Sequence, residues 1–204
     1  MRRLFCALIV AGLWSVPGLY ADNVALNFTG GTSYYYVTNP LPNTIGWQFT
    51  LSAPVSVTSL GFYQTVGNVD IVAPHDVGIW DASGNEVASG TVTPTDPDIQ
   101  GFLWDAISPV TLPAGTYQIG ALVDNDDPYY ANAASISTVP GVTYDGGVYL
   151  LGAFGNPTSV GYEPDGRFGP DFMISSVPEP GAMTLLLLGL GGLGFLRRRV
   201  VEPR

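Results

Sequence analysis

The chain contains no lysine, and only one histidine and one cysteine occur among its 204 residues. The histidine is His75, whereas the cysteine, Cys6, lies close to the amino terminus. Residues 22–176 therefore have no thiol nucleophile, no disulfide and no lysine for a Schiff base, and one histidine cannot build a multi-histidine metal centre. A serine protease-like triad would need His75 and a distant carboxylate, because Asp76 would point to the other side of a strand. We predict that the chain is not an enzyme.

Basic charge is equally scarce in the middle of the chain. Six of the seven arginines lie before residue 4 or after residue 196, which leaves Arg167 as the only basic residue in 22–176. Fifteen of the seventeen acidic residues lie in the same range, which gives it a net charge of about −14. Such a field repels nucleic acid and attracts divalent cations. We therefore expect no nucleic-acid partner.

The first 21 residues have the order of a secretory signal peptide. Arg2 and Arg3 precede an apolar segment over 4–14, and small residues continue up to Ala21. This order of charged, apolar and small residues predicts cleavage after Ala21 and export of the chain from residue 22 onward. At about 155 residues, the part from 22 to 176 is long enough for one domain with a single core.

The other end of the chain, residues 177–204, has three consecutive features. The tripeptide Pro178, Glu179 and Pro180 is followed by an apolar run over 182–196 and then by Arg197, Arg198 and Arg199. As a helix the run would be roughly 22 Å long, against a hydrocarbon core of about 30 Å, so it predicts a short transmembrane helix. The arginines favour keeping its far end in the cytoplasm.

This three-part order resembles the PEP-CTERM sorting signal of Gram-negative bacteria that make exopolysaccharide. The resemblance implies that exosortase, a membrane-embedded enzyme, recognises the tail and that the tail is cut near Pro178, Glu179 and Pro180. It also implies a transient anchor in the inner membrane, followed by release to the cell surface or the extracellular space. Exopolysaccharide or other matrix components are the partners it suggests.

Short apolar stretches, spaced about ten residues apart and without helical patterns between them, predict an all-β domain over 22–176. We expect an antiparallel β-sandwich of jelly-roll type, with a single C-terminal transmembrane helix outside it. Ile45, Trp47 and Phe49 share one face of a strand and are predicted to be core. Trp80 is predicted to pack in the core or against a face of the sheet. A bulge near Ser59 is needed to keep the flanking apolar residues on one face. The sequences 75–81 and 86–92 predict a hairpin, and alternation over 117–123 predicts another strand.

Three blocks in this range, 52–63, 75–81 and 113–117, look like blocks that recur in uncharacterised PEP-CTERM proteins. The ectodomain of those proteins resembles carbohydrate-binding sandwiches. This resemblance implies a sandwich fold and supplies no site residues.

The strongest metal-binding pattern is a run of four acidic and amide residues. Calcium takes six to eight oxygen ligands, and Asp124, Asn125, Asp126 and Asp127 offer carboxylate and amide oxygens together. Their spacing does not match an EF-hand loop. We therefore predict either a calcium site here, with Asp76, Asp96 or Asp98 nearby, or a solvated acidic turn.

Sugar binding would use exposed aromatic rings beside polar groups. Tyr129 and Tyr130, which come directly after the acidic run and one proline, are candidates, and so are Tyr34, Tyr35 and Tyr36. Tyrosine is also common in ordinary strands. The composition and the sorting signal together predict a non-catalytic structural or adhesive role in an exopolysaccharide matrix. The alternatives are a calcium-assisted carbohydrate-binding module and, third, a glycan-active hydrolase that uses a pair of carboxylates.

Overall fold

The structure is a computed structural model that describes residues 23–34, 42–64, 71–124, 127–160 and 166–176. Fifteen strands, and no helix, occur within these ranges. The strands are β1 (Asn23–Val24), β2 (Leu26–Thr29), β3 (Thr32–Tyr34), β4 (Asn43–Leu51), β5 (Val55–Tyr63), β6 (His75–Asp81), β7 (Glu86–Val92), β8 (Asp98–Ile99), β9 (Phe102–Leu112), β10 (Gly115–Val123), β11 (Tyr129–Ala131), β12 (Ser135–Thr138), β13 (Val142–Leu150), β14 (Ser159–Val160) and β15 (Pro170–Ser176).

Most strands belong to two large antiparallel sheets that pack face to face. One sheet has five strands in the order β1-β15-β5-β9-β8, and the other has six in the order β14-β13-β4-β10-β6-β7. The pairs β11-β3 and β12-β2 form two further small sheets. Trp47 and Phe49 of β4 contact Phe172 of β15, with ring centroids 5.7 and 4.7 Å apart, which joins the two large sheets. The predicted all-β antiparallel sandwich is confirmed.

The alternating residues of the central strands form the core, as predicted. Ile45, Trp47 and Phe49 are fully buried. The indole N–H of Trp47 donates to the carbonyl oxygen of Pro170 at 2.8 Å, so its one polar group is satisfied inside the protein. In β10, four alternating residues are buried in the same way: Tyr117, Ile119, Ala121 and Val123.

The bulge predicted near Ser59 is present in β5. The register of β5 against β9 shifts between Val57 and Ser59. Leu60 is therefore buried along with Val57, although a strand without a bulge would place residues three positions apart on opposite faces. The predicted hairpin is also confirmed, because β6 pairs with β7 through the connection 82–85.

A row of three glycines crosses the six-stranded sheet on the face away from the core. Gly120 of β10 lies directly between Gly78 of β6 and Gly46 of β4. A Cβ atom on Gly120 would lie 2.6 Å from Thr44 Cγ2 and 3.0 Å from Pro157 Cγ. The missing side chain at Gly120 thus makes room for Thr44 and Pro157, and that at Gly78 for the ring of Trp80.

The segment 151–157 packs over this row of glycines. The hydroxyl of Thr44 donates to the carbonyl oxygen of Ala153 at 2.7 Å and accepts from the N–H of Gly155 at 3.1 Å. The N–H of Gly152 donates to Asn43 Oδ1 at 2.9 Å. Because this segment covers the outer face, the first part of β4 is buried on both sides. Nothing in the sequence indicated this packing.

In the part of the chain that the structure describes, no helix is long and apolar enough to cross a membrane. The predicted signal peptide, 1–21, and the predicted helix over 182–196 lie outside the described residues. Of the three tyrosines at 34–36, only Tyr34 is described.

Candidate functional site

The predicted calcium-binding run begins directly after β10, at one end of the sandwich. A cleft of about 350 Å³ opens there. Asp124 is half-buried in its wall, whereas Asn125 and Asp126 lie outside the described residues. The full lining consists of Pro42, Ala73, Pro74, His75, Leu122, Val123 and Asp124.

Asp127, the last residue of the run, turns into the protein and is 1% exposed. Its Oδ2 atom lies 3.1 Å from Nε2 of His75. The backbone N–H of Val72 donates to Oδ1 at 2.9 Å, and that of Ala73 donates to Oδ2 at 3.0 Å. Three donors from another part of the chain thus converge on one carboxylate.

His75, which is 3% exposed, is held at both ring nitrogens. Nδ1 lies 2.8 Å from the carbonyl oxygen of Leu122, while Nε2 faces Asp127. The carbonyl and the carboxylate are both hydrogen-bond acceptors, and together they fix the orientation of the ring. The ring also stacks on Phe62, with centroids 3.9 Å apart and planes 4° apart.

The pKa of Asp127 reflects opposing influences. Burial raises the pKa, but hydrogen bonds from His75, Val72 and Ala73 and the charge of His75 outweigh it, so the pKa lies below its usual value. The sequence indicated that only a distant carboxylate could orient His75, and Asp127 is that carboxylate. Neither ring nitrogen is left to contact a serine, however, so the arrangement is not a triad.

The described residues do not assemble a calcium site. Within them, no group of three or more histidine, cysteine, aspartate or glutamate side chains is placed to hold a metal ion. The three acids expected near the run make local hydrogen bonds instead: Asp76 with Thr91, Asp96 with Thr93 and Asp98 with Gly101. Calcium binding at 124–127 stays a prediction, since two of its four ligands lie outside the described ranges.

The two tyrosines predicted to bind sugar differ in exposure. Tyr129 is 6% exposed and does not present the free ring face that this role requires, so the expectation of an exposed ring is wrong for it. Tyr130 is half-buried and contacts Tyr63 and Phe28, with ring centroids 5.1 and 5.9 Å apart. Tyr34 stacks on Tyr129 at 5.9 Å.

The burial of Tyr129 is linked to Arg167. The Arg167 guanidinium donates to the hydroxyl of Tyr129 at 3.2 Å and lies 4.8 Å from the ring centroid of Tyr149. Only 8% of Arg167 is exposed. The single basic residue in 22–176 is thus withdrawn from the surface, which leaves the acidic groups there without a competing positive charge.

A second acid, Asp171, is fully buried. Burial raises its pKa well above the usual value, while hydrogen bonds from the N–H groups of Phe172 at 2.7 Å and Leu26 at 3.3 Å act in the opposite direction. No local pattern pointed to this residue, because an aspartate after Gly169 and Pro170 looks like part of a turn.

These features define the class of protein: an acidic, antiparallel β-sandwich domain whose sole histidine is held by a buried aspartate. The particular family is shown by a match of residues 32–164 to the domain of unknown function DUF4082. This match covers more than half of the chain, and the chain belongs to that family. No curated protein and no solved structure matches the chain.

Residues 176–200 match the PEP-CTERM protein-sorting motif. This match includes Pro178, Glu179, Pro180 and all three arginines, so the predicted sorting signal is confirmed. The protein is therefore exported, passes the membrane, is processed by exosortase and is sorted to the cell surface. Neither matched family is a catalytic one. Cleavage after Ala21 stays a prediction.

Proposed function

We propose that this protein is a non-catalytic structural or adhesive component of an extracellular polysaccharide matrix. The observation that carries the proposal is the sorting motif at 176–200, because it sends an otherwise compact β-sandwich to the cell surface. Before processing, the predicted helix over 182–196 anchors the chain in the inner membrane. The domain then remains with the matrix outside the cell.

The state of His75 supports a non-catalytic role. A general base needs a free lone pair within reach of substrate, and both nitrogens of the only histidine are hydrogen-bonded inside the protein. No cysteine or lysine in 22–176 offers another nucleophile. A scaffold or adhesin needs none of these groups.

The proposal is tested by following the protein in its own host. The chain should be found with the extracellular polysaccharide fraction, and its deletion should reduce cell aggregation or change matrix texture. A matched control replaces Pro178, Glu179 and Pro180 by alanine, which should leave the same domain in the membrane fraction. Retention of the unaltered chain inside the cell, or turnover of the host polysaccharide by the purified chain, would overturn the proposal.

A second candidate function is calcium-assisted carbohydrate binding. Asp124 favours it, because this half-buried acid lines the 350 Å³ cleft and directly precedes Asn125 and Asp126 in the chain. Titration of the full chain with calcium, followed by chelator, tests it. A reversible rise in the unfolding temperature that disappears in an Asp124→Ala variant is expected; equal behaviour of both chains would contradict it.

A further inference from the structure

A second cleft lies on the outer face of the six-stranded sheet, where β6 and β7 meet the segment 151–157. Its volume is about 230 Å³, and its lining consists of Asp76, Glu86, Ser89, Gly90, Thr91 and Phe154. Asp76 is the cross-strand partner of Thr91, and Glu86 is the partner of Trp80. Since Asp76 and Trp80 are four residues apart on β6, the two carboxylates bracket about 13 Å of strand. That length suits a short oligosaccharide.

The aromatic wall of this cleft is held in place. Phe154 packs edge-on against Trp80, with ring centroids 5.4 Å apart and planes at 63°. Trp80 is buried, whereas Phe154 is only half-buried and borders the cleft. The C–H face of a sugar ring packs well against such an apolar surface, and the fixed ring costs little entropy to present.

The polar groups of the cleft are arranged to accept and donate hydrogen bonds. The hydroxyl of Thr91 donates to Asp76 Oδ1 at 2.8 Å, which orients that carboxylate. Across the described ranges, the side chains of Glu86 and Ser89 have no hydrogen-bond partner, and both are exposed. Carboxylates accept from sugar hydroxyls, and Ser89 can do either. Four of the six lining residues are polar, so recognition in this cleft would rest on hydrogen bonds together with one aromatic contact.

We propose that this cleft binds a neutral oligosaccharide, without a metal ion. The ligand is neutral because Asp76 and Glu86 would repel uronic or sulfated sugars, and the only basic residue of 22–176, Arg167, is buried elsewhere. The inference rests on the proposed matrix role and names the partner: the neutral part of a matrix polysaccharide. The proposed sugar site therefore lies on the outer face of β6 and β7, and not at Tyr129 and Tyr130.

Isothermal titration calorimetry of the full chain in detergent tests this site. The probes are neutral tetrasaccharides of glucose, galactose and mannose, with tetragalacturonate as the charged counterpart and spermidine as an amine. At least one neutral probe should bind saturably and equally well with chelator, while tetragalacturonate should not bind. Tighter binding of spermidine, or no neutral probe bound, would overturn the inference.

Two variants locate the binding. Glu86→Gln removes a charged acceptor, and we expect it to weaken binding by about tenfold. Phe154→Ala should weaken binding by a similar factor. Because the side chain of Glu86 has no hydrogen-bond partner among the described residues, its variant keeps the fold even if loss of Phe154 does not. The matched controls, Asp98→Asn for the acid and Leu151→Ala for the apolar residue, are both exposed and should leave affinity within about twofold.

The outcomes separate this inference from the proposed function. If Glu86→Gln binds the sugar with unchanged affinity, the cleft is not the binding site, but the proposed matrix role is not contradicted. If the chain is absent from the polysaccharide fraction of the host, the proposed matrix role is wrong, whatever the calorimetry shows. Weaker binding by both variants and unchanged binding by both controls supports the site.

Discussion

Nε2 of His75 lies 3.1 Å from Oδ2 of Asp127, although 52 positions separate the two residues in the chain. The contact joins β6 to the segment that comes after β10. Asp127 also accepts the N–H groups of Val72 and Ala73, just before β6. One carboxylate therefore joins two chain segments, 72–75 and the segment after β10, at the end of the sandwich that carries the 350 Å³ cleft.

Removal of this carboxylate should be costly. In an Asp127→Ala variant, His75 and the N–H groups of Val72 and Ala73 would lose the carboxylate they contact. A buried polar group left without its partner costs about 1–3 kcal/mol. Urea unfolding at neutral pH measures the loss. Asp145→Ala is the matched control, because Asp145 is exposed and accepts one hydrogen bond from Thr50. An equal, small effect of both variants would contradict the structural role of the pair.

The same carboxylate predicts a loss of stability in acid. The folded pKa of Asp127 lies below that of the unfolded chain, which is about 3.9. Its stabilising effect is therefore complete above about pH 4 and is lost as the pH falls through the folded pKa. The free energy of unfolding should drop more for the natural chain than for Asp127→Ala between about pH 5 and pH 2. Parallel profiles would show that the pKa of Asp127 is the same in the folded and unfolded states, and would contradict the prediction.

For the buried Asp171 we predict the opposite pH dependence: its contribution to the unfolding free energy falls as the pH rises. Its folded pKa is raised well above the unfolded value by burial, so the folded state holds a proton that the unfolded chain releases. Stability due to this group is complete below about pH 4 and declines as the pH rises toward the folded pKa. An Asp171→Asn variant cannot release the proton, and its unfolding free energy should decline less over that range. A decline equal to that of the natural chain would contradict the prediction.

The core could be predicted from the sequence because its signal is local. Ile45, Trp47 and Phe49 alternate within five residues, and a strand places alternate residues on one face. The shift of phase near Ser59 was equally visible, because apolar residues on either side of it needed a common face. Both features depend on neighbours in the chain.

The buried polar contacts could not be predicted in this way. Arg167 meets Tyr129 across 38 residues, and His75 meets Asp127 across 52. The order of strands in the sheets decides such contacts, and no local periodicity encodes that order. The acidic run at 124–127 predicted a calcium site or a solvated turn, and nothing in it indicated that Asp127 turns inward.

The glycine row is a similar case, because each glycine is ordinary when taken separately in the sequence. Only the register brings Gly46, Gly78 and Gly120 side by side. A Cβ atom added to Gly46 would overlap the carbonyl oxygen of Ile119, which belongs to the neighbouring strand and cannot turn away. A Cβ atom on Gly155 would instead meet the flexible end of Leu150 at 3.2 Å.

A Gly46→Ala variant should therefore lose about 3 kcal/mol of unfolding free energy, because β4 and β10 must separate to admit the methyl group. The matched control, Gly155→Ala, should change stability by about 0.5 kcal/mol or less. Amide hydrogen exchange along β4 and β10 gives a second measurement: Gly46→Ala should accelerate exchange in both strands and leave β5 and β9 closer to the natural rates. If the two variants are equally stable, the close approach of β4 and β10 does not prevent a larger residue at position 46.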